Sequence, residues 1–171
     1  MTPVGPFRRR IRRLKGGGVE LRLPEIERDF LRSLAPDLRE MLTDTADPAI
    51  ARLFPVAYPD DDDRETEYRL LAGSELLDSH LAALTALEES ADAQRLDPGQ
   101  ADAWMRALNQ VRLVLGTRLE AAEDEDDDWP DDDEDPRIPA YAAYRYLSGL
   151  QDELVEAMLG SLNSEGPRPL P

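Results

Sequence analysis

Residues 97–119 read DPGQADAWMRALNQVRLVLGTRL, and this stretch decides the fold class. Asp97 is placed to cap a helix, and Pro98 suits a first turn, where the N–H has no partner in any case. Gln100 stands where a capping box needs its second member. Beyond them Ala101, Trp104, Leu108, Val111 and Leu115 recur at three- and four-residue spacing, which aligns them along one side of a helix. The pattern predicts a helix with a defined start and one buried stripe.

Upstream the same logic extends the helical reading. Tyr68, Leu71, Leu77, Leu81, Leu84 and Leu87 predict a long helix with an apolar face, capped by Asp62 or Asp63 with Glu65 or Thr66 three residues on. The acidic run Asp60 to Asp63 favours the dipole at that N-terminus. Asp47 and Pro48 open a short helix bearing Ile50, Leu53 and Phe54, and Pro55 and Pro59 bracket an apolar turn after it. Pro24 introduces a helix with Ile26, Phe30, Leu31, Leu34, Leu38, Met41 and Leu42 on its stripe, which Pro36 is expected to kink or split near Leu34. Downstream, Pro139 opens a last helix whose Tyr144, Leu147, Leu150, Leu154, Met158 and Leu159 face the core, and residues 164–171 form a frayed tail.

The N-terminus breaks the helical period. Val19, Leu21 and Leu23 alternate with Glu20 and Arg22, as in a half-buried strand. Phe7 and Ile11 share one face of a preceding strand, and Arg8, Arg10 and Arg12 line the other. Gly16, Gly17 and Gly18 between them supply the positive φ of a reversal. The expected fold is mainly α: a compact bundle of four to five helices in one domain, 1–171, with a β-hairpin at 7–23 and a flexible, disordered acidic loop at 120–137.

With 171 residues and a hydrophobic fraction of 41%, the chain is large enough to build a core without staples. It contains no cysteine, which excludes disulfides, thiolate nucleophiles and zinc-thiolate sites. No apolar run reaches the roughly 18 residues of a membrane span, and the basic N-terminus leads into glycines instead of an apolar leader, so a cytoplasmic location is expected. Lys15 is the only lysine, and this arginine bias with abundant Ala, Asp, Leu and Pro matches a GC-rich bacterial genome.

Charge is segregated. The net charge is −17, and eleven of the thirteen residues from 123 to 135 (EDEDDDWPDDDED) are acidic. Such a run repels itself and stays extended, and it can also bind a basic patch on a partner. Asp124, Asp126 and Asp128 alternate as in an EF-hand, but Trp129 and Asp135 occupy the positions that need glycine and glutamate, so no metal is expected. Trp129 is a candidate partner contact, set against packing on the chain's own bundle. Arg8, Arg10 and Arg12 are candidate contacts to a partner or to nucleic acid, set against pairing with the protein's own acids. The single histidine, His80, has no second histidine or serine elbow to work with, and the glycine run lacks the spacing of a phosphate loop. No cofactor and no catalytic activity are expected.

Three segments carry a family resemblance: RLFPVAYPDD at 52–61, LNQVRLVLGTRL at 108–119 and YRYLSGLQDELVEAM at 144–158, following the strand VELRL at 19–23. Together they resemble an actinobacterial family of small cytoplasmic proteins long known as a domain of unknown function, some members of which are described as oxidative-stress transcriptional regulators, AosR. The resemblance implies a regulator that works with an RNA polymerase sigma factor. Any cysteine switch in that family is closed to this chain. The resulting expectation is a non-enzymatic transcription regulator acting by protein contact, with a sigma factor or RNA polymerase as partner. A DNA-binding factor led by the arginine hairpin and a homodimeric structural protein are the alternatives.

Overall fold

The computed structural model describes residues 9–119 and 130–162. Eight elements follow in chain order: β1 (Ile11–Arg13), β2 (Val19–Leu21), α1 (Glu25–Met41), α2 (Pro48–Ala51), α3 (Asp62–Ser90), β3 (Arg95–Leu96), α4 (Pro98–Leu119) and α5 (Ile138–Leu162). The architecture is a helical bundle beside a small antiparallel sheet, ordered β1-β2-β3.

The hairpin forms as its sequence predicts. Ile11 pairs with Leu21 and Arg13 with Val19, while Gly16, Gly17 and Gly18 all have positive φ. A Cβ on Gly18 would collide with the Leu96 carbonyl, so the turn needs glycine for space as well as for conformation. The third strand was not expected. β3 pairs Leu96 with Val19, and two residues are too few to show any period.

Helix α4 occupies the centre, packed on α2, α3 and α5, and α1 lies along α3. Its capping box is closed in both directions: the Gln100 amide donates to Asp97 Oδ1 at 2.8 Å, and the Asp97 amide to Gln100 Oε1 at 3.0 Å. Trp104 is fully buried in the same core cluster as Leu84, Leu87, Leu108, Leu147, Leu150 and Leu154, and its indole N–H donates to Ser90 Oγ at 2.8 Å. Gly116 lets α5 approach closely, since a Cβ there would meet the Tyr144 ring at 3.2 Å.

Several expectations are corrected. α1 runs unbroken through Pro36, which lies exposed on its outer side, because Leu31, Ala35 and Leu38 bury one continuous face. Burial of that face outweighs the hydrogen bond the proline forfeits. The N-cap of α3 is Asp61, whose side chain accepts from the Arg64 amide at 3.0 Å. Ile26 is 78% exposed, Leu71 71% and Leu159 53%, and Tyr68 is exposed too, so none of the four joins the core. Each lies near an end of its helix or beyond the reach of a facing element.

Of the loop at 120–137, residues 120–129 lie outside the described residues, as does the tail at 164–171. Residues 130–137 form turns leading into α5, in which Asp135 accepts from the backbone amide of Arg137 at 2.8 Å and from its guanidinium at 2.7 Å. Among the described residues no helix is long and apolar enough to cross a membrane.

Candidate interaction surface

The arginines of the hairpin face carboxylates. Arg8 lies outside the described residues. Arg10 sits over the Tyr146 ring at 5.3 Å, with its Nε 3.0 Å from Glu27 and its Nη1 3.7 Å from Glu153. Arg12 and Arg22 flank one carboxylate, Glu20, at 3.2 and 2.9 Å. Arg9 pairs with Glu156 at 3.1 Å on the surface, and Arg13 donates to the Gly160 carbonyl. The structure thus brings the described arginines of this segment together with groups of α1, β2 and α5, in place of a bare basic row.

Glu153 holds the first strand in place. Its Oε2 accepts from the amides of Arg10 at 2.7 Å and Ile11 at 3.1 Å, two donors that an edge strand would otherwise leave open. Tyr146 donates to Glu27 at 2.7 Å, and burial, together with that carboxylate, pushes its phenol well above the usual range. An open cleft of about 890 Å³ lies beside this cluster, lined by Arg9, Arg10, Arg22, Glu27, Glu153 and Glu156. Its charges are mixed and already matched to one another.

Arg28 is the residue that sequence reasoning missed. It is only 8% exposed, and among the described residues its hydrogen-bond partners are carbonyls and no carboxylate. Its guanidinium donates to the carbonyls of Leu23 at 3.0 Å, Ala91 at 2.6 Å, Ala93 at 2.8 Å and Leu21 at 3.4 Å. The cation closes the C-terminus of α3, where carbonyls lack helical partners, and ties it to α1 and β2. A signal was present: Arg28 shares the three-, four- and three-residue spacing of Leu31, Ala35 and Leu38, so it falls on the buried stripe.

A second surface lies at the other end of α3. Leu42, Phe54, Pro55 and Val56 form one wall of a groove of about 370 Å³, and Tyr68, Ala72, Gly73, Leu76 and Leu77 form the other. Glu65 sets its shape. One carboxylate oxygen accepts from the amides of Ala57 at 2.9 Å and Tyr58 at 2.8 Å, and the other from Arg69 at 2.8 Å. Arg69 and the Tyr58 amide hold this carboxyl below the usual glutamate range. Val56 and Tyr68, which line the groove, are exposed, and Leu70, outside its lining, is 78% exposed. Leu71 carried a legible signal, because it stands six residues before Leu77 and so falls off the stripe of Leu77, Leu81 and Leu84.

Other residues are placed as follows. His80 is half-buried, its Nε2 2.9 Å from the Leu53 carbonyl and its ring edge-on to Phe54. Arg112 donates to Ser148 at 2.9 Å, and Arg118 pairs with Asp47 at 3.1 Å. Trp129, Asp124, Asp126 and Asp128 lie outside the described residues. Among the described residues no group of three or more acidic or histidine side chains is arranged to hold a metal ion.

The chain is similar to the oxidative stress regulator AosR of Mycobacterium tuberculosis strain H37Rv and to that of Mycobacterium bovis, each 31% identical over 135 residues. That match takes in 67% of this chain and 60% of the relative. A protein of Mycobacterium leprae named a putative oxidative stress regulator AosR is 30% identical over 139 residues, with the same shares covered. The chain therefore spans about three-fifths of the length of these curated relatives. No solved structure matches it. A family profile described as a domain of unknown function, DUF2017, matches residues 5–158, and with nearly all of the described fold inside that match the chain belongs to the DUF2017 family.

Proposed function

We propose that this protein is a non-catalytic regulator of transcription that acts by protein contact, with an RNA polymerase sigma factor as its partner. The observation that carries the reading is the likeness to proteins named oxidative stress regulators, over 67% of this chain. Two features of the chain fit it. Val56 and Tyr68, both exposed to solvent, line a formed apolar groove, which suits a docking role. The chain has no cysteine, so a stress signal reaches it through a partner, a ligand or its own concentration and not through a thiol.

DNA binding through the hairpin has less support, because Arg10 and Arg12 already face Glu27, Glu153 and Glu20. The test is affinity capture at native expression and low salt, with the wild type beside a variant lacking residues 123–135. Recovery of sigma or polymerase subunits is the expected result, and a loss in the variant assigns part of the contact to the acidic segment. Recovery of neither subunit sinks the sigma-factor reading.

A further inference from the structure

We propose that the solvent face of the three-stranded sheet docks an acidic segment of a partner protein, with Arg12, Arg22 and Arg95 as its contacts. The inference rests on the contact-regulator reading only for its premise that the partner is a protein. It identifies the surface used and the charge of what lands there.

The strand period builds this face. Ile11, Val19, Leu21 and Leu96 turn inward and are buried, so Arg12, Glu20, Arg22 and Arg95, which alternate with them, turn outward. Register sets Arg12, Glu20 and Arg95 side by side across the three strands. With strands about 4.8 Å apart, the backbones of the two arginines stand about 10 Å from each other. Three guanidinium groups thus share one carboxylate. Arg12 and Arg22 divide Glu20 between them and are 59% and 44% exposed. Arg95 is exposed too, and it forms no ion pair among the described residues. The acids beside it in sequence are engaged elsewhere, Asp92 with Arg32 and Asp97 with the Gln100 amide.

The helices carry the acidic runs away from this face. β3 leads directly into α4, which rises about 33 Å from there to Leu119. Tyr141, in the first turn of α5, donates to the Leu119 carbonyl, so both ends of the acidic loop are tethered at the far end of the bundle. α3 ends beside β3 and begins about 43 Å away, which puts Asp61, Asp62 and Asp63 at that far end as well. With a screening length of about 8 Å at physiological salt, those acids do not mask the arginines of the sheet.

A short acidic segment confined to this patch suits it better than nucleic acid does. Guanidinium forks pair bidentately with carboxylates, and alternate residues of an extended chain recur about every 7 Å along one side. No aromatic side chain stands among the outward positions, so bases have nothing to stack on. A duplex would run past the patch along a chain of net charge −17. A second copy meets this face with its acidic end only head to tail, a contact that grows into filaments.

Titration of the isotope-labelled full chain by NMR, at physiological salt, tests this directly. The probes are two designed peptides of equal length, one alternating glutamate with threonine and the other glutamine with threonine, and a short DNA duplex. The glutamate peptide is expected to shift the amides of Arg12, Glu20, Arg22 and Arg95, and the glutamine peptide to leave them in place. Arg95→Gln should weaken glutamate-peptide binding about threefold to fivefold, the worth of one exposed ion pair. Glu20→Gln should strengthen it by a similar factor, since it frees Arg12 and Arg22, a gain that a merely structural role would not give. Arg118→Gln, at the far end of α4, should leave it unchanged. Equal shifts from both peptides, tighter binding of the duplex at these amides, no gain in Glu20→Gln, or equal losses in Arg95→Gln and Arg118→Gln overturns the proposal. So do filaments that Arg95→Glu dissolves, which would make the occupant a second copy. The same holds if the four amides are displaced, without peptide, in the variant lacking residues 123–135, which would make it this chain's own acidic loop. Neither peptide is a sigma factor, so a positive titration beside a negative capture removes only the sigma-factor reading, and the reverse removes only the sheet surface.

Discussion

Leu84 and Leu87, in the C-terminal half of α3, are fully buried, whereas Leu70 and Leu71, in the same helix, are among the most exposed apolar residues described. Leu71 points to the other side of the helix from Leu84, but Leu70 shares its side, and there the difference comes from how far the neighbouring helices reach. α3 has 29 residues, α1 has 17 and α4 has 22. Arg28 meets the carbonyl of Ala91 and Arg39 meets Thr85, so α1 runs antiparallel to α3 and ends beside Leu76 and Leu77. Trp104 meets Ser90, and α4 likewise runs out before the first turns of α3. The N-terminal dozen residues of α3 therefore overhang the bundle. A leucine's fate is set by whether something stands opposite it, and the helix's own composition does not say.

The largest expected effect separates the two halves outright. Leu84→Ala should cost about 2–5 kcal/mol in urea unfolding, through lost burial and the cavity left behind. Leu71→Ala should stay within about 0.5 kcal/mol. Similar losses at both sites would mean the overhang is covered in solution. Arg28→Ala should cost about 2–4 kcal/mol, since it strands buried carbonyls at the anchored end of α3, and Arg28→Lys should not restore it because one ammonium cannot span those acceptors. A denaturation midpoint unmoved by either change would deny that end its anchor.

Smaller effects sharpen the contrast. Gly73→Ala should raise stability by about 0.5–1 kcal/mol, because the new methyl group meets open space and the helix gains a better former. Gly18→Ala should lower it, through positive φ and the Leu96 carbonyl. Melting temperatures moving in the same direction would break the argument. Amide exchange should be fastest in α3 before Gly73 and slowest around Leu84 and Leu87.

The smallest effect is a pH response at the overhang. Folding lowers the carboxyl of Glu65 from its unfolded value of 4.5, so its contribution is complete above that value and fades as pH falls through the lower folded one. The Ala57 and Tyr58 amide signals should shift in acid below that value, and Glu65→Gln should abolish the transition. A transition that survives in the variant would assign it to another group.

Much of the fold was legible because local rules spoke clearly. Asp97, Pro98 and Gln100 marked the start of α4, Asp47 and Pro48 that of α2, and three glycines the hairpin turn, since caps and positive φ are decided within a few residues. Pro36 does not split α1, because its local cost is outweighed by burial contributed from other elements. β3 and the engagement of Arg10 with Glu27 and Glu153 were illegible, because their partners lie far along the chain. Tyr68 and Leu71 read as core although Leu71 stands six residues before Leu77, which puts it off the stripe of Leu77, Leu81 and Leu84.

By itself the sequence determined the helical class, the hairpin, the capping residues, the absence of thiol chemistry and the separation of acidic from basic segments. All of these depend on covalent identity or on residues within a few turns of one another. Tertiary structure alone decided that Arg28 becomes a buried clasp, that hairpin arginines meet carboxylates of α1, β2 and α5, and that twelve residues of α3 project past the bundle to shape a groove. Those outcomes depend on which distant segments are brought opposite one another, and on how far each extends.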